Sequence, residues 1–107
     1  MNIDKECVDL CGAINKVKGA RTVESCCGHG ERPFRIWLCP DNVDDLLPVL
    51  YYIDSCHCGC CGWTCKVYTD CSMDGVRYMI GGPIGQQAYD DAKRIAQLIE
   101  EYVKEEQ

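Results

Sequence analysis

Cysteine and histidine side chains, which can bind metal ions, are concentrated in two short segments of the chain. Of the 11 cysteines and 2 histidines in 107 residues, six cysteines and both histidines lie within residues 25–32 and 55–62. Thiolate sulfur and imidazole nitrogen are ligands that tetrahedral zinc prefers. One hypothesis is therefore a site for zinc or another thiophilic ion. Its candidate ligands are Cys26, Cys27, His29, Cys56, Cys58, Cys60 and Cys61.

The spacing of these cysteines favours a second interpretation, in which most of them are reduced and fill small apolar spaces. They form C-C, C-x-C and C-C groups, whereas zinc sites normally pair C-x2-C or C-x4-C knuckles. Cys7 and Cys11 fall on the apolar side of a predicted helix, and Cys39 and Cys71 fall at the far end of the predicted sheet. Residues 1–6 lack the basic and apolar regions of a signal peptide, which favours a reducing cytoplasm over a disulfide framework.

A second group of residues could bind an anion. The sequence Gly-Gly-Pro-Ile-Gly at residues 81–85 precedes the predicted last helix, whose free N–H groups and positive dipole end favour a phosphate or carboxylate. Residues 25–32 would add an imidazole and a guanidinium, and an aromatic ring could form a wall. The predicted ligand-binding residues are Gly28, His29, Gly30, Arg32, Trp63, Gly82, Gly85 and Tyr89.

A catalytic interpretation rests on Cys27 and His29, which could act as a nucleophile and its base. Residues two apart in sequence form such a hydrogen bond only if the loop folds back on itself. The sequence indicates no residue that would orient the base. We therefore expect a binding protein rather than an enzyme, with no catalytic residue assigned and no cofactor required.

Hydrophobic periodicity predicts the elements that position these segments. Apolar residues recur every three or four positions in an N-terminal and a C-terminal helix, and again in a middle helix that begins near Asp41 and has Pro48 as its weak point. A hairpin turn at Asp74 and Gly75 joins the last two of four predicted strands. Alternating patterns predict these strands over residues 21–26, 34–39, 63–69 and 76–80.

The resulting order, α-β-β-α-β-β-α, predicts a single α+β domain over residues 1–107. We expect a four-stranded, mainly antiparallel sheet with the helices packed on one face. Chain direction through this order brings residues 25–32, 55–62 and 81–85 to the same end of the molecule. Because function is often carried by loops on a rigid scaffold, three glycine-rich segments at one end predict a binding site there.

The charge balance excludes some partners and leaves one sheet face unexplained. A formal net charge of -6 argues against non-specific nucleic-acid binding, and no apolar run approaches the roughly 18 residues of a membrane span. The second sheet face combines aromatic, apolar and basic groups, which favours a homo-oligomer interface or partial cover by the first helix. These residues are Arg35, Trp37, Thr64, Lys66, Tyr68, Arg77 and Met79.

Four short motifs resemble those of a family of small proteins from bacteriophages and Firmicutes, clostridia in particular. They are S-C-C-G-H-G at residues 25–30, F-R-I-W at 34–37, Y-T-D-C at 68–71 and G-P-I-G at 82–85. The resemblance extends from about residue 4 to residue 102 and identifies a family rather than a chemistry. Residues 25–28 are also similar to the serine-cysteine-serine-glycine-arginine loop of the wybutosine-synthesising tRNA methyltransferase family, with His29 in place of the arginine.

These observations together favour a cytoplasmic, homo-oligomeric, non-enzymatic protein that holds a small anionic, nucleotide-like ligand at the three-segment end. By analogy, the phage resemblance implies that the ligand could be an immune signalling nucleotide that the protein sequesters. Two alternatives remain open. One is a zinc-stabilised, cysteine-rich interaction module, and the other, which the second resemblance implies, is an RNA-modifying methyltransferase-like enzyme that would bind S-adenosylmethionine.

Overall fold

The predicted α+β architecture is confirmed in a computed structural model, which describes residues 3–69 and 75–106. The described helices are α1 (Lys5–Lys16), α2 (Leu47–Ile53), α3 (Ser55–Cys58) and α4 (Gln86–Glu106), with short 3-10 helices at Gly28–Gly30 and Val43–Leu46. The strands are β1 (Thr22–Cys26), β2 (Pro33–Leu38), β3 (Thr64–Thr69) and β4 (Val76–Ile84).

The four strands form one antiparallel sheet in the order β1-β2-β4-β3. Ile80 on β4 is paired with Ile36 on β2 and with Cys65 on β3. Because directly paired residues point to the same side of a sheet, these three side chains share the face that the helices cover. Phe34 and Leu38 alternate with Ile36 along β2 and are buried on that same face.

Helices α1 and α4 pack against each other and form most of the layer over the sheet. Leu10 and Ile14 on α1 and Ile95 and Ile99 on α4 are fully buried, which is the one-sided burial expected from their spacing of three to four residues. On the outer surface, the Lys16 ammonium and the Glu100 carboxylate form an ion pair between the two helices.

The middle helix differs from the prediction in where it begins. The N-cap is Asn42 rather than Asp41, and the Asn42 N–H donates to Asp45 Oδ2 at 3.0 Å. A 3-10 helix follows, and α2 begins only at Leu47, which places Pro48 in the first turn of α2. Proline is tolerated in a first turn because the N–H that it lacks has no partner within the helix there.

Two predicted loops are partly regular structure. Residues 81–84 continue β4, where Gly81 is paired with both Arg35 and Thr64, so that only Gly85 separates the strand from α4. Residues 55–58 form the short helix α3, which Asp54 caps by accepting a hydrogen bond of 2.8 Å from the Cys56 N–H. Cys71 and the Asp74 half of the predicted hairpin turn lie outside the described residues.

The described helices all lie on the opposite face of the sheet from Arg35 and Trp37. The Arg35 guanidinium lies over the ring of Trp37, with its central carbon 5.3 Å from the ring centroid. Both side chains are half-buried, as is Met79, which is paired with Trp37 across β2 and β4. Among the described residues, no helix has the length and apolar character needed to cross a bilayer.

Candidate functional site

The connection between β1 and β2 is a tight turn of three successive residues with left-handed backbone geometry. Gly28, His29 and Gly30 have φ angles of 81°, 53° and 80°. A side chain at Gly28 would place its Cβ 3.0 Å from the Pro33 carbonyl oxygen, so glycine is required there for space as well as for φ. His29 is the non-glycine residue with positive φ in the described chain, and such a geometry is strained for most side chains.

The strained turn brings the His29 ring back to Cys27. The His29 N–H donates to Cys27 Sγ at 3.3 Å, and His29 Nδ1 lies 3.6 Å from the same sulfur. The loop therefore folds back on itself, which allows Cys27 and His29 to be in contact although they are only two residues apart in sequence. The Cys27 residue is only 3% exposed, whereas His29 lies at the surface.

Asp4, which the sequence analysis did not single out, anchors this turn from the N-terminal side of α1. Its Oδ2 accepts a hydrogen bond of 3.0 Å from the Cys27 N–H. The pKa of the Asp4 carboxyl is lowered, first by this backbone N–H, then by the Cys27 thiol, with a smaller contribution from His29. The two partners are 23 residues apart in sequence, so no local pattern could have indicated their contact.

Tyr89, near the start of α4, also lies close to this turn. The pKa of Tyr89 is raised, first because burial disfavours the phenolate and then because its hydroxyl interacts with the Cys27 thiol, while the Gly30 backbone acts in the opposite direction. Burial also raises the pKa of the Cys27 thiol, against the His29 backbone N–H, which lowers it. Burial therefore disfavours the thiolate form of Cys27, which is the reactive form of a cysteine.

Arg32 and Gly85 lie at the same end of the two central strands, β2 and β4. Pro33 is paired with Ile84, so the residues immediately before β2 and after β4 are neighbours. Arg32 is exposed, and its backbone N–H donates to the Gly28 carbonyl at 3.0 Å. The structure thus brings six of the eight predicted ligand-binding residues to one end of the molecule. They are Gly28, His29, Gly30, Arg32, Gly85 and Tyr89.

The other two predicted ligand residues, Trp63 and Gly82, are used in packing. Trp63 is buried, with its indole N–H donating to Asp91 Oδ2 at 3.0 Å and its ring edge-on to Phe34 at 5.4 Å. Its ring also fills the space beside Gly82, because a Cβ there would lie 2.7 Å from Trp63 Cη2. The aromatic wall predicted at Trp63 is therefore an interior contact, and the exposed part of Tyr89 is left for that role.

The cysteines of residues 55–62 do not converge on those of the first segment. Cys58 and Cys60 are buried, and the Cys60 N–H donates to Cys58 Sγ at 3.3 Å. Burial, with a further contribution from Asp91, raises the pKa of Cys60 to about 12. Cys56 and Cys61 are exposed.

The second histidine is also engaged locally. The ring of His57 stacks on Tyr51 with a centroid separation of 3.6 Å, and its Nδ1 lies 2.9 Å from the Tyr51 carbonyl oxygen. These contacts hold the imidazole against α2. His57 therefore does not join His29 in one site.

A smaller cluster of metal-binding side chains is present in the first segment. Within residues 3–69 and 75–106, one group of three or more such side chains has its ligand atoms within 4.8 Å of one another, and it comprises Asp4, Cys26 and His29. Two of the seven predicted ligands, Cys26 and His29, are thus together. The five predicted ligands outside this group are Cys27, Cys56, Cys58, Cys60 and Cys61.

A cavity of about 520 Å³ lies between the N-terminal parts of α1 and α4. A second cavity of about 420 Å³ continues along the same groove and shares Asp9 and Lys93 with the first. Tyr89 belongs to the first cavity and also contacts the turn. The cavity is lined by Lys5, Glu6, Asp9, Gln86, Tyr89 and Lys93.

The fold and these contacts define a small α+β protein with a tight turn, a thiol-imidazole-carboxylate cluster and a polar cavity between α1 and α4. Comparisons with protein-family models, with curated proteins and with solved structures found no match.

Proposed function

We propose that this protein binds a small anionic, nucleotide-like ligand, without catalysing a reaction, in the cavity between α1 and α4 at the end of the molecule where residues 25–32 and 81–85 lie. The observation that supports this most directly is the position of Tyr89. This residue borders the cavity of about 520 Å³, and its hydroxyl interacts with Cys27 in the turn that carries His29. A ligand in the cavity would therefore contact the same residue that lies close to the turn.

The lining of the cavity suits a nucleotide-like molecule. Lys5 and Lys93 can pair with phosphate oxygens, and Glu6 and Asp9 can accept hydrogen bonds from ring N–H or ribose O–H groups. The Tyr89 ring offers a surface on which a base can stack. The cavity volume falls within the range of about 300 to 1,000 Å³ that is typical of small-molecule sites. The exposed side chains of His29 and Arg32 lie at the same end of the molecule.

The state of Cys27 supports a binding role over a catalytic one. A cysteine nucleophile must be a thiolate, whereas burial raises the pKa of the Cys27 thiol. His29 Nδ1 lies 3.6 Å from that sulfur, which is within hydrogen-bond distance for a thiol, so the case against catalysis depends on the burial of the thiol and not on this distance.

The cellular setting and the assembly state are part of the same proposal. The cysteines of the described residues are free thiols, and free thiols are typical of proteins in a reducing cytoplasm. The uncovered sheet face around Trp37 suits a homo-oligomer interface, because it combines half-buried aromatic and apolar groups. Native mass spectrometry would report the oligomer and any bound small molecule together.

Calorimetric titration tests the binding proposal. The probes are purine nucleoside mono- and triphosphates, cyclic mononucleotides, cyclic dinucleotides and inorganic phosphate. The cyclic compounds are included because of the phage resemblance. We expect one probe class to bind, and the Arg32→Ala and Lys93→Ala variants to bind it about tenfold more weakly, since a charge-assisted hydrogen bond contributes about 1.5 kcal/mol.

Two matched variants serve as controls. Lys66→Ala removes an exposed cation from β3, and His57→Ala removes the histidine that stacks on Tyr51. Both should leave the affinity unchanged, whereas His29→Ala should lower it. The proposal is overturned if no probe binds, or if Arg32→Ala, Lys93→Ala and His29→Ala all retain the affinity of the unmodified protein.

A further inference from the structure

We propose that Asp4, Cys26 and His29 bind one divalent transition-metal ion of the zinc class and leave a coordination position open. This inference goes beyond the anionic ligand proposed above and does not depend on it. The three side chains come from two different parts of the chain: Asp4 precedes α1, whereas Cys26 ends β1 and His29 lies in the turn that follows β1. Their proximity is therefore produced by the fold and not by a local sequence motif.

The distances are compatible with a metal ion. The three ligand atoms all lie within 4.8 Å of one another. Around a tetrahedral zinc ion, with bonds of about 2.0 to 2.3 Å, neighbouring ligand atoms are separated by about 3.3 to 3.7 Å. The ligand atoms would need to move about 1 Å closer together to bind the ion. His29 can supply this movement because its side chain is exposed, while Asp4 and Cys26 are half-buried.

The donor set selects the class of metal. One carboxylate oxygen, one thiolate sulfur and one imidazole nitrogen are all ligands of zinc. Calcium and magnesium prefer oxygen ligands alone, so a site with sulfur and nitrogen disfavours them. The mixed set therefore favours Zn²⁺, with Co²⁺ as its spectroscopic substitute.

Each ligand is also positioned by a hydrogen bond or a backbone constraint. Asp4 Oδ2 accepts the Cys27 N–H at 3.0 Å, and Cys26 Sγ accepts the Gly28 N–H at 3.4 Å. The left-handed backbone conformation of His29, between two glycines that also have positive φ, fixes the direction in which its side chain leaves the turn. Such outer contacts orient metal ligands and typically change metal affinity by about 10- to 100-fold.

The thiol of Cys27 lies beside this group, with its Sγ 3.6 Å from His29 Nδ1. Cys27 is buried and interacts with the Tyr89 hydroxyl, and it is not part of the three-residue group. Three protein ligands leave the fourth tetrahedral position for water or for an anionic group of a ligand. The site thus differs from the closed four-ligand site of a zinc-stabilised module.

Titration of the reduced, metal-free, untagged protein with Zn²⁺ and Co²⁺ tests this inference. We expect one equivalent to bind, with a thiolate-to-cobalt charge-transfer band that is lost in Cys26→Ser. Asp4→Asn and His29→Ala should weaken metal binding at least tenfold. Asp4→Asn retains an oxygen that can accept the Cys27 N–H, and a thermal melt of each metal-free variant verifies that it is folded.

The controls separate this site from the alternatives. Cys56→Ser and His57→Ala replace surface residues of the second segment and should bind metal as the unmodified protein does. Arg32→Ala and Lys93→Ala should lose affinity for the anionic probe but keep the metal, so the two proposals fail separately. The inference is overturned if less than one equivalent binds, or if the cobalt band persists in Cys26→Ser and disappears in Cys56→Ser.

Discussion

The indole ring of Trp63 occupies the space that a side chain at Gly82 would need. A Cβ at residue 82 would lie 2.7 Å from Trp63 Cη2 and 2.8 Å from two further ring carbons. The same ring is edge-on to Phe34 and is fixed by the hydrogen bond from its N–H to Asp91. The start of β3, the end of β4 and helix α4 are therefore joined through one aromatic side chain.

This contact predicts that Gly82→Ala is destabilising. The ring is buried and cannot move into solvent, so we expect the free energy of unfolding to fall by about 1 to 3 kcal/mol, as is typical of overpacked cores. Urea denaturation followed by tryptophan fluorescence measures it. Gly12→Ala is the matched control, because Gly12 is exposed on α1 with no atom within 4 Å of an added Cβ. It should stabilise the protein by about 0.5 to 1 kcal/mol. Equal effects of the two substitutions would contradict the contact.

The hydrogen bond between Asp4 and Cys27 predicts a local effect of removing the carboxylate. In Asp4→Ala the Cys27 N–H loses its acceptor. The free energy needed to open the turn at residues 28–30 should then fall by about 1 kcal/mol. Native-state hydrogen exchange should then show the Cys27 amide exchanging about fivefold faster.

The comparison variants for this prediction are Asp4→Asn and Asp9→Ala. Asp4→Asn keeps an acceptor oxygen and should have a smaller effect. Asp9→Ala removes an exposed carboxylate from the same helix region and should leave the Cys27 amide unaffected. If Asp4→Ala leaves the exchange rate of that amide unchanged, the anchoring role of Asp4 is wrong.

The buried thiols predict a loss of stability at alkaline pH. Burial is the main cause that raises the pKa of Cys7 from 9.0 to about 12, and it raises that of Cys11 and Cys65 as well. A raised folded-state pKa means that the folded protein keeps protons that the unfolded chain loses. The free energy of unfolding should therefore be unaffected by these groups below pH 9 and should decrease as pH rises from about 9 towards 12.

Urea denaturation at a series of pH values measures this slope. Cys7→Ala should reduce the slope, because it removes one buried thiol. Cys56→Ala should not, because Cys56 is exposed. The same slope in both variants and in the unmodified protein would show that buried cysteines do not cause the alkaline transition.

Much of the fold follows from short-range patterns in the sequence. The period of three to four residues in α1 and α4 and the alternation in β2 match the buried residues of those elements because side-chain direction is set locally by backbone geometry. The element boundaries were less predictable. Gly81 is inside β4 because its strand partners, Arg35 and Thr64, lie elsewhere in the chain. Pro48 stands in the first turn of α2 because a 3-10 helix precedes it.

The candidate site divides in the same way. The sequence by itself determined that Cys26, Cys27 and His29 share one glycine-rich turn, since they are adjacent in the chain. Only the tertiary structure decided that Asp4 and Tyr89 lie close to that turn and that the Trp63 ring packs against Gly82. It also decided that the second cysteine segment lies apart from the first. The physical reason is that these contacts join residues tens of positions apart, whose separation depends on how α1 and α4 pack over the sheet.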